Sequence, residues 1–339
     1  MRILITGTAG FIGYHLTKAL LYANHEIVAI DSINDYYDTK LKFDRLEDLG
    51  IVNPVYTETH LSTKFNNLNF VYGNLENEQL VDQLFVKYKP EIVINLAAQA
   101  GVRYSITNPD VYVTANIVGF FNILNACKKY QVNKMIYASS SSIYGDQTIT
   151  PFTEDMIVDK PISLYAATKK ANELMAHTYS HLYGINTVGL RFFTVYGPYG
   201  RPDMAYFSFA NSIMSGKEIE VFNEGNLSRD FTYIDDIVNG IMTIIDKLNS
   251  ENSFEKYEIF NIGNSNPIKL MDFISTLETA LNRKANLKFK PMQLGDVHDT
   301  YASVEKLKQK TNYSPSTTLA EGIQKFVVWY KSYFDVKEN

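Results

Sequence analysis

Gly7-Thr8-Ala9-Gly10-Phe11-Ile12-Gly13 follows the apolar run Arg2 to Thr6 and opens a helical pattern running from Ile12 to Tyr22. Glycines at this spacing allow a tight strand-to-helix turn, so that a pyrophosphate can approach the backbone amides at a helix N-terminus. Asp31 closes the next apolar run, Glu26 to Ile30, where a carboxylate accepts hydrogen bonds from ribose hydroxyls and repels a 2'-phosphate. No Arg or Lys follows Asp31 until Lys40, which favours NAD over NADP. Further apolar runs, Asn69 to Tyr72, Glu91 to Leu96, Lys134 to Ser139 and Thr187 to Phe192, lack the polar alternation of a half-exposed sheet. They alternate with candidate helices over Gln79 to Lys87, Asp110 to Tyr130 and Leu164 to Tyr183, the last with Gly184 as its stop. The fold expected is α/β, a Rossmann-like doubly wound parallel sheet with a smaller C-terminal substrate-binding lobe.

Beyond about residue 191 the alternation weakens, and Pro198, Gly200 and Pro202 crowd one turn-rich segment. Residues 1–191, with 230–262, are expected to form the NAD-binding domain, and 192–229 with 263–339 the second lobe. Ser316 to Tyr333 has a helical amphipathic pattern, whereas residues 34 to 68 mix polar, aromatic and helical pieces without a readable order.

A net charge of -5 over 339 residues gives no broad basic field for nucleic acid or an anionic membrane. The single cysteine, Cys127, lies in an apolar helical run and reads as buried filler; one cysteine forms no intrachain disulfide, which suits a reducing compartment. The glycine motif starts at residue 7 and no apolar stretch approaches membrane-spanning length, so a cytoplasmic protein without a signal peptide is expected. Of the histidines, only His177 and His181 stand at helical spacing; without an HExxH pattern they read as a solvated face, and no metal site is expected.

Tyr165 and Lys169 in Tyr165-Ala166-Ala167-Thr168-Lys169 share one face of a helix. A free tyrosine is a poor base near neutral pH, but a neighbouring ammonium and a positive nicotinamide ring would favour its phenolate. Tyr-x-x-x-Lys is common by chance among 24 tyrosines, so the pair gains meaning from Ser139-Ser140-Ser141-Ser142-Ile143-Tyr144-Gly145 at the C-terminal end of an expected strand. Doubly wound sheets put their chemistry there, and a serine hydroxyl could share the reacting proton with Tyr165.

This ordered set resembles the extended short-chain dehydrogenase/reductase family, and within it the NAD-dependent nucleotide-sugar epimerases, over essentially the whole chain. The resemblance implies that Tyr165, Lys169 and Ser140 are catalytic. It implies cofactor contacts from Gly7, Gly10, Phe11, Ile12, Gly13, Asp31, Asn74, Leu75, Leu96, Ala97, Ala98, Gln99, Asn116, Tyr165, Lys169 and Phe192. It implies substrate contacts from Arg103, Ser140, Ser141, Ser142, Thr194, Arg201, Arg229 and Asp296. Arg191-Phe192-Phe193-Thr194-Val195-Tyr196-Gly197-Pro198, continuing through Gly200-Arg201-Pro202-Asp203, is similar to the UDP-glucuronate 4-epimerase subgroup, as is Asn34-Asp35-Tyr36-Tyr37-Asp38. There Thr194 and the serine turn are expected to hold the sugar carboxylate, Arg201 to reach the nucleotide portion and Arg229 the pyrophosphate. A UDP-sugar partner and a homodimer, through helices near 110–130 and 164–183, follow from the same resemblance.

Family dehydratases and decarboxylases carry an acid just after the catalytic hydroxyl, where this chain has Ser141 and Ser142. That favours 4-epimerisation of UDP-glucuronate to UDP-galacturonate through a transient 4-keto sugar. The alternatives are a 4-epimerase of neutral or N-acetylated UDP-hexoses, a UDP-glucuronate decarboxylase, or a non-catalytic NAD-binding scaffold. Three departures from the family pattern stand out: Asn74 for an adenine-contacting aspartate, Gln293 for a phosphate-binding arginine, and Leu294 and His298 at positions often proline.

Overall fold

From its N-terminus the chain runs β1 (Arg2–Thr6), α1 (Phe11–Tyr22), β2 (Glu26–Asp31), α2 (Lys40–Asp48), β3 (Thr59–Leu61), β4 (Leu68–Tyr72), α3 (Glu78–Tyr88) and β5 (Ile92–Asn95). The computed structural model describes residues 1–250, 254–292 and 299–336. β1 buries four of its five side chains and β5 all four, as expected of strands covered on both faces. Two short turns, α4 (Tyr104–Thr107) and α5 (Asp110–Tyr112), lead into a π-helical stretch, Val113–Val118, and then α6 (Gly119–Lys129), β6 (Lys134–Ser140), α7 (Leu164–Tyr183) and β7 (Asn186–Phe192).

α7 has the bounds expected from sequence: Ser163 caps its start by accepting from the Ala166 amide, and Gly184, at φ 70°, ends it. The single helix expected over Asp110 to Tyr130 is instead broken by the π-helical stretch, whose extra residue per turn turns Asn116 inward. Cys127 is buried, and His177 and His181 are exposed.

Among the described residues the main sheet has eight strands in the order β11-β7-β6-β5-β1-β2-β4-β3, with β11 (Tyr257–Ile262) at one edge. All pairings are parallel except β3 on β4. The chain leaves β1 toward β2 and β4, then returns to β5 on its other side, so the strand order reverses between β1 and β5. Crevices open at such switch points. Here the two strand ends are tied by the Thr6 hydroxyl, which donates to Asn95 Oδ1 at 2.8 Å and accepts from the Ala97 amide at 3.0 Å.

Between β7 and β11 the chain forms β8 (Thr194–Tyr196), α8 (Ala205–Ser215), β9 (Glu218–Phe222), β10 (Ser228–Tyr233) and α9 (Ile234–Leu248). After β11 come β12 (Pro267–Lys269), α10 (Leu270–Leu281), β13 (Asn286–Lys290), α11 (Glu305–Thr311) and α12 (Leu319–Tyr333). These strands make two small sheets, β12-β10-β8 and β13-β9, a smaller layer over the carboxyl ends of the main strands. The amphipathic tail is α12, opened by a capping box in which Thr318 and Glu321 satisfy each other's amides.

Candidate active site

The reversal of strand order opens a cleft of about 670 Å³, within the range that encloses a small ligand. At one end lies the glycine turn. Gly7 sits at φ 80°, and a Cβ there would come within 2.7 Å of the Ala97 nitrogen. A Cβ on Gly13 would fall 2.0 Å from the Gly7 carbonyl oxygen, backbone against backbone, so neither position tolerates a side chain without opening the turn. No side chain caps α1, whose first amides therefore face the cleft beside Gly10, Phe11, Ile12 and Gly13. An uncapped helix start against a side-chain-free turn is the cradle a dinucleotide pyrophosphate requires. Asp31 fits the adjoining ribose: its two oxygens accept from the Ala9 amide at 2.9 Å and the Ile33 amide at 2.8 Å, which fixes the carboxylate and leaves lone pairs for hydroxyls. These residues fit NAD.

Leu75, Leu96, Ala97, Ala98 and Gln99 line the same end, with Phe192 across from them. Asn74 lies between the lining residues Gly73 and Leu75 but is not itself on the wall. Asn116 is also behind the wall: its side chain accepts from the Gln99 amide at 2.7 Å and donates to the Gln99 carbonyl and Thr168 hydroxyl, both at 3.0 Å. These bonds shape the 96–99 loop, toward which the π-helical stretch aims Asn116. Lys42 was not expected here; it faces the cleft, donates to Asn34 and sits 4.7 Å over the Tyr37 ring. Burial pushes its pKa down to about 8. Lys40, the first cation after Asp31, pairs instead with Asp44 on the exterior. Nothing in the mixed polar, aromatic and helical pieces of residues 34–68 signalled Lys42, since its placement depends on α2 folding back over the glycine turn.

At the other end Arg103, Arg201, Arg229, Thr194, Ser141 and Ser142 line the cleft. Arg201 holds Asp203 through Nε at 3.0 Å and Nη2 at 2.6 Å, and Tyr36 donates to the same carboxylate at 3.0 Å. Burial works to raise the Asp203 pKa, but the Arg201 guanidinium overrides it and the carboxyl is held below its ordinary range. Arg103 lies 5.8 Å from the Phe222 ring, and Arg229 donates to the Ser228 carbonyl at 2.8 Å. Asp296, with Gln293, Leu294 and His298, lies outside the described residues.

Tyr165, Lys169 and Ser140 line the same cleft, and Tyr165 and Ser140 are hydrogen-bonded to each other. Ser140 Oγ accepts from the Ser142 amide at 3.2 Å and the Ser142 hydroxyl at 2.9 Å. A hydroxyl accepts two bonds and donates one, so its own proton is left for the Tyr165 oxygen. Lys169 Nζ donates to the Ala138 carbonyl at 2.8 Å. Burial holds the Tyr165 pKa above its ordinary value, and the Ser140 hydrogen bond and the Arg201 charge offset only part of that rise. Burial pushes the Lys169 pKa down to about 7.

The NAD dependent epimerase/dehydratase family model matches residues 3–263. Protein CapI of Staphylococcus aureus is 48% identical over 98% of this chain and 99% of its own length. The probable UDP-glucuronate 4-epimerase of Rhizobium meliloti is 43% identical over 97% of each chain. Among solved structures, the UDP-glucuronic acid 4-epimerase from Bacillus cereus in complex with UDP-glucuronic acid and NAD matches with a TM-score of 0.87 at 32% identity, covering 98% of this chain and 100% of that one.

Proposed function

The chain belongs to the NAD dependent epimerase/dehydratase family, and from that premise we propose that it epimerises carbon 4 of UDP-glucuronate to give UDP-galacturonate. The observation that carries this reading is the meeting of Tyr165 and Ser140 midway between an uncapped helix start and a set of arginines. Two pyrophosphates can therefore enter one cleft from opposite ends with their reactive rings facing each other at Tyr165. Residues 1–191 with 230–262 hold the dinucleotide, and 192–229 with 263–339 hold the nucleotide sugar.

NAD, when bound by the glycine turn, Asp31 and the 96–99 loop, supplies reversible hydride acceptance at carbon 4 and a positive ring charge. Tyr165 takes the proton of the 4-hydroxyl, and Ser140 donates a hydrogen bond to the oxygen as it changes charge. Arg229 keeps the pyrophosphate of the 4-keto sugar in place and Arg201 its nucleotide portion while the ring turns over, and Tyr165 returns the proton after the ring presents its other face. The sugar carboxylate is held by Thr194, Ser141 and Ser142, neutral donors that share its charge and let go during the turn. The two positions after Ser140 are Ser141 and Ser142 and carry no acid, which favours epimerisation over elimination.

Proton magnetic resonance of UDP-glucuronate mixed with the protein and NAD tests the assignment. UDP-galacturonate should accumulate without carbon dioxide release, and Tyr165→Phe should slow conversion by roughly 10³-fold or more while retaining NAD. Undiminished turnover in that variant overturns the assigned base; turnover of neutral UDP-hexoses alone overturns the assigned sugar. No helix among the described residues is long and apolar enough to cross a membrane. A cytoplasmic site of action fits the single, buried Cys127, and a homodimer through α6 and α7 fits their exposed apolar side chains.

A further inference from the structure

Three successive carbonyls in the turn before Arg201 are held by side chains from the dinucleotide half. His15 on α1 donates from Nε2 to the Pro198 oxygen at 2.9 Å. Arg45 on α2 donates to the Tyr199 oxygen from Nε at 3.0 Å and from Nη2 at 2.6 Å, and to the Gly200 oxygen at 3.1 Å. Its remaining arm, Nη1, reaches the Ala9 oxygen and the Tyr37 hydroxyl, each at 2.7 Å. Ala9 belongs to the glycine turn, and its amide is bonded to Asp31. One guanidinium thus spans the glycine turn, the loop after β2 and the turn that carries Arg201.

Two features make this more than packing. Arg45 is fully buried at 0% exposure, and among the described residues no carboxylate pairs with it. An ion buried without a counter-charge costs several kcal/mol, and an apolar side chain of similar volume would fill the space at less cost. What an apolar side chain would not do is join the acceptors of three separate segments, which needs the planar fork of donors. The turn it grips is also strained: Tyr199 stands at φ 55°, with its ring packed 5.0 Å from Tyr14 and 5.1 Å from Trp329. The counter-charge Arg45 lacks within the protein is available from the anion that the Ala9 turn is shaped to receive.

We propose that Arg45 is a positioning residue that couples the two ends of the cleft: a dinucleotide pyrophosphate on the glycine turn stabilises the Arg45 clamp, and the clamp sets the backbone from which Arg201 meets the nucleotide sugar. This rests on the assignment of the two ends made above. Each ligand then strengthens the other, because the second to bind finds the 198–201 turn already fixed.

Equilibrium binding separates this coupling from catalysis. NAD affinity is measured by calorimetry on cofactor-stripped protein with and without saturating UDP, in the parent and in Arg45→Lys, which keeps the charge but loses the fork. UDP should tighten NAD binding about tenfold in the parent and less than twofold in Arg45→Lys. Hydrogen exchange of the parent gives a second measurement that needs no variant: NAD alone should slow exchange of the amides in residues 198–203. An unchanged NAD affinity with UDP in the parent overturns the proposal, as does an undiminished ratio in Arg45→Lys or exchange in 198–203 that ignores NAD. Coupled binding without any turnover of UDP-glucuronate would leave the proposal standing and overturn the proposed reaction alone.

Discussion

Lys169 shows how one buried side chain trades stability for chemistry. Its pKa, pushed down to about 7 by burial, lies below the 10.5 of the exposed group, so between those values the unfolded chain holds a proton that the folded chain does not. Stability therefore rises with pH through that window, by at most about 1.4 kcal/mol per pH unit, and the burden is greatest below pH 7. Lys169→Met removes the burden and leaves the Ala138 carbonyl without its donor, a smaller loss of about 1–3 kcal/mol. The variant should lose activity by roughly 10²–10⁴-fold yet melt higher than the parent at pH 6. That advantage should shrink at pH 9, as read by differential scanning calorimetry; an advantage independent of pH would mean that Lys169 does not titrate in this range. Tyr165, Ser140 and Lys169 were legible in the sequence as residue types at the right spacing. How their pKa values are set was not, because burial and the path of the Ser140 proton depend on β6 and α7 packing together.

α7 is kept in place by a buried ion pair two turns beyond Tyr165. Glu173 accepts from Arg191 Nε at 2.9 Å and Nη2 at 3.0 Å, and from the Ser139 hydroxyl at 2.7 Å. The helix with the base, the β6 strand with Ser140 and the β7 strand thus share one carboxylate. Glu173→Ala leaves Arg191 charged and unpaired, and should destabilise by about 3–5 kcal/mol with a fall in kcat larger than the change in KM, since Tyr165 loses its alignment. Adding Arg191→Met should restore much of the stability in urea unfolding; a double variant as unstable as the single one would show that the orphaned charge is not the cause. At this scale the main strands and α7 were legible because their apolar runs and caps are local signals. α2 was not, since its place is fixed by Arg45 reaching residues more than 150 positions away. The π-helical stretch was hidden for another reason: its apolar spacing differs too little from that of an α-helix to be told apart over six residues.

For the molecule as a whole, the sheet and the second layer bury their apolar faces against each other, but α6 and α7 leave several large apolar side chains outside. Phe121 is 43% exposed, Leu174 59% and Leu182 60%, and Phe121 meets Tyr179 edge-on at 6.5 Å. Apolar side chains clustered on two adjacent helices mark an association face more often than scattered ones do. A second copy related by twofold symmetry would bring the same pair against itself as a four-helix interface. The face of α7 opposite this patch bears Tyr165 and Lys169, so pairing would also stiffen the helix that positions the base. Sedimentation equilibrium at micromolar concentration should then give the parent twice its chain mass of 38.6 kDa. Phe121→Asp with Leu174→Asp should give the single chain mass with an unchanged circular dichroism spectrum, because neither side chain belongs to the buried core. A parent sedimenting as one chain would remove the dimer from this reading and leave the cleft chemistry, which is built from one chain, as it stands.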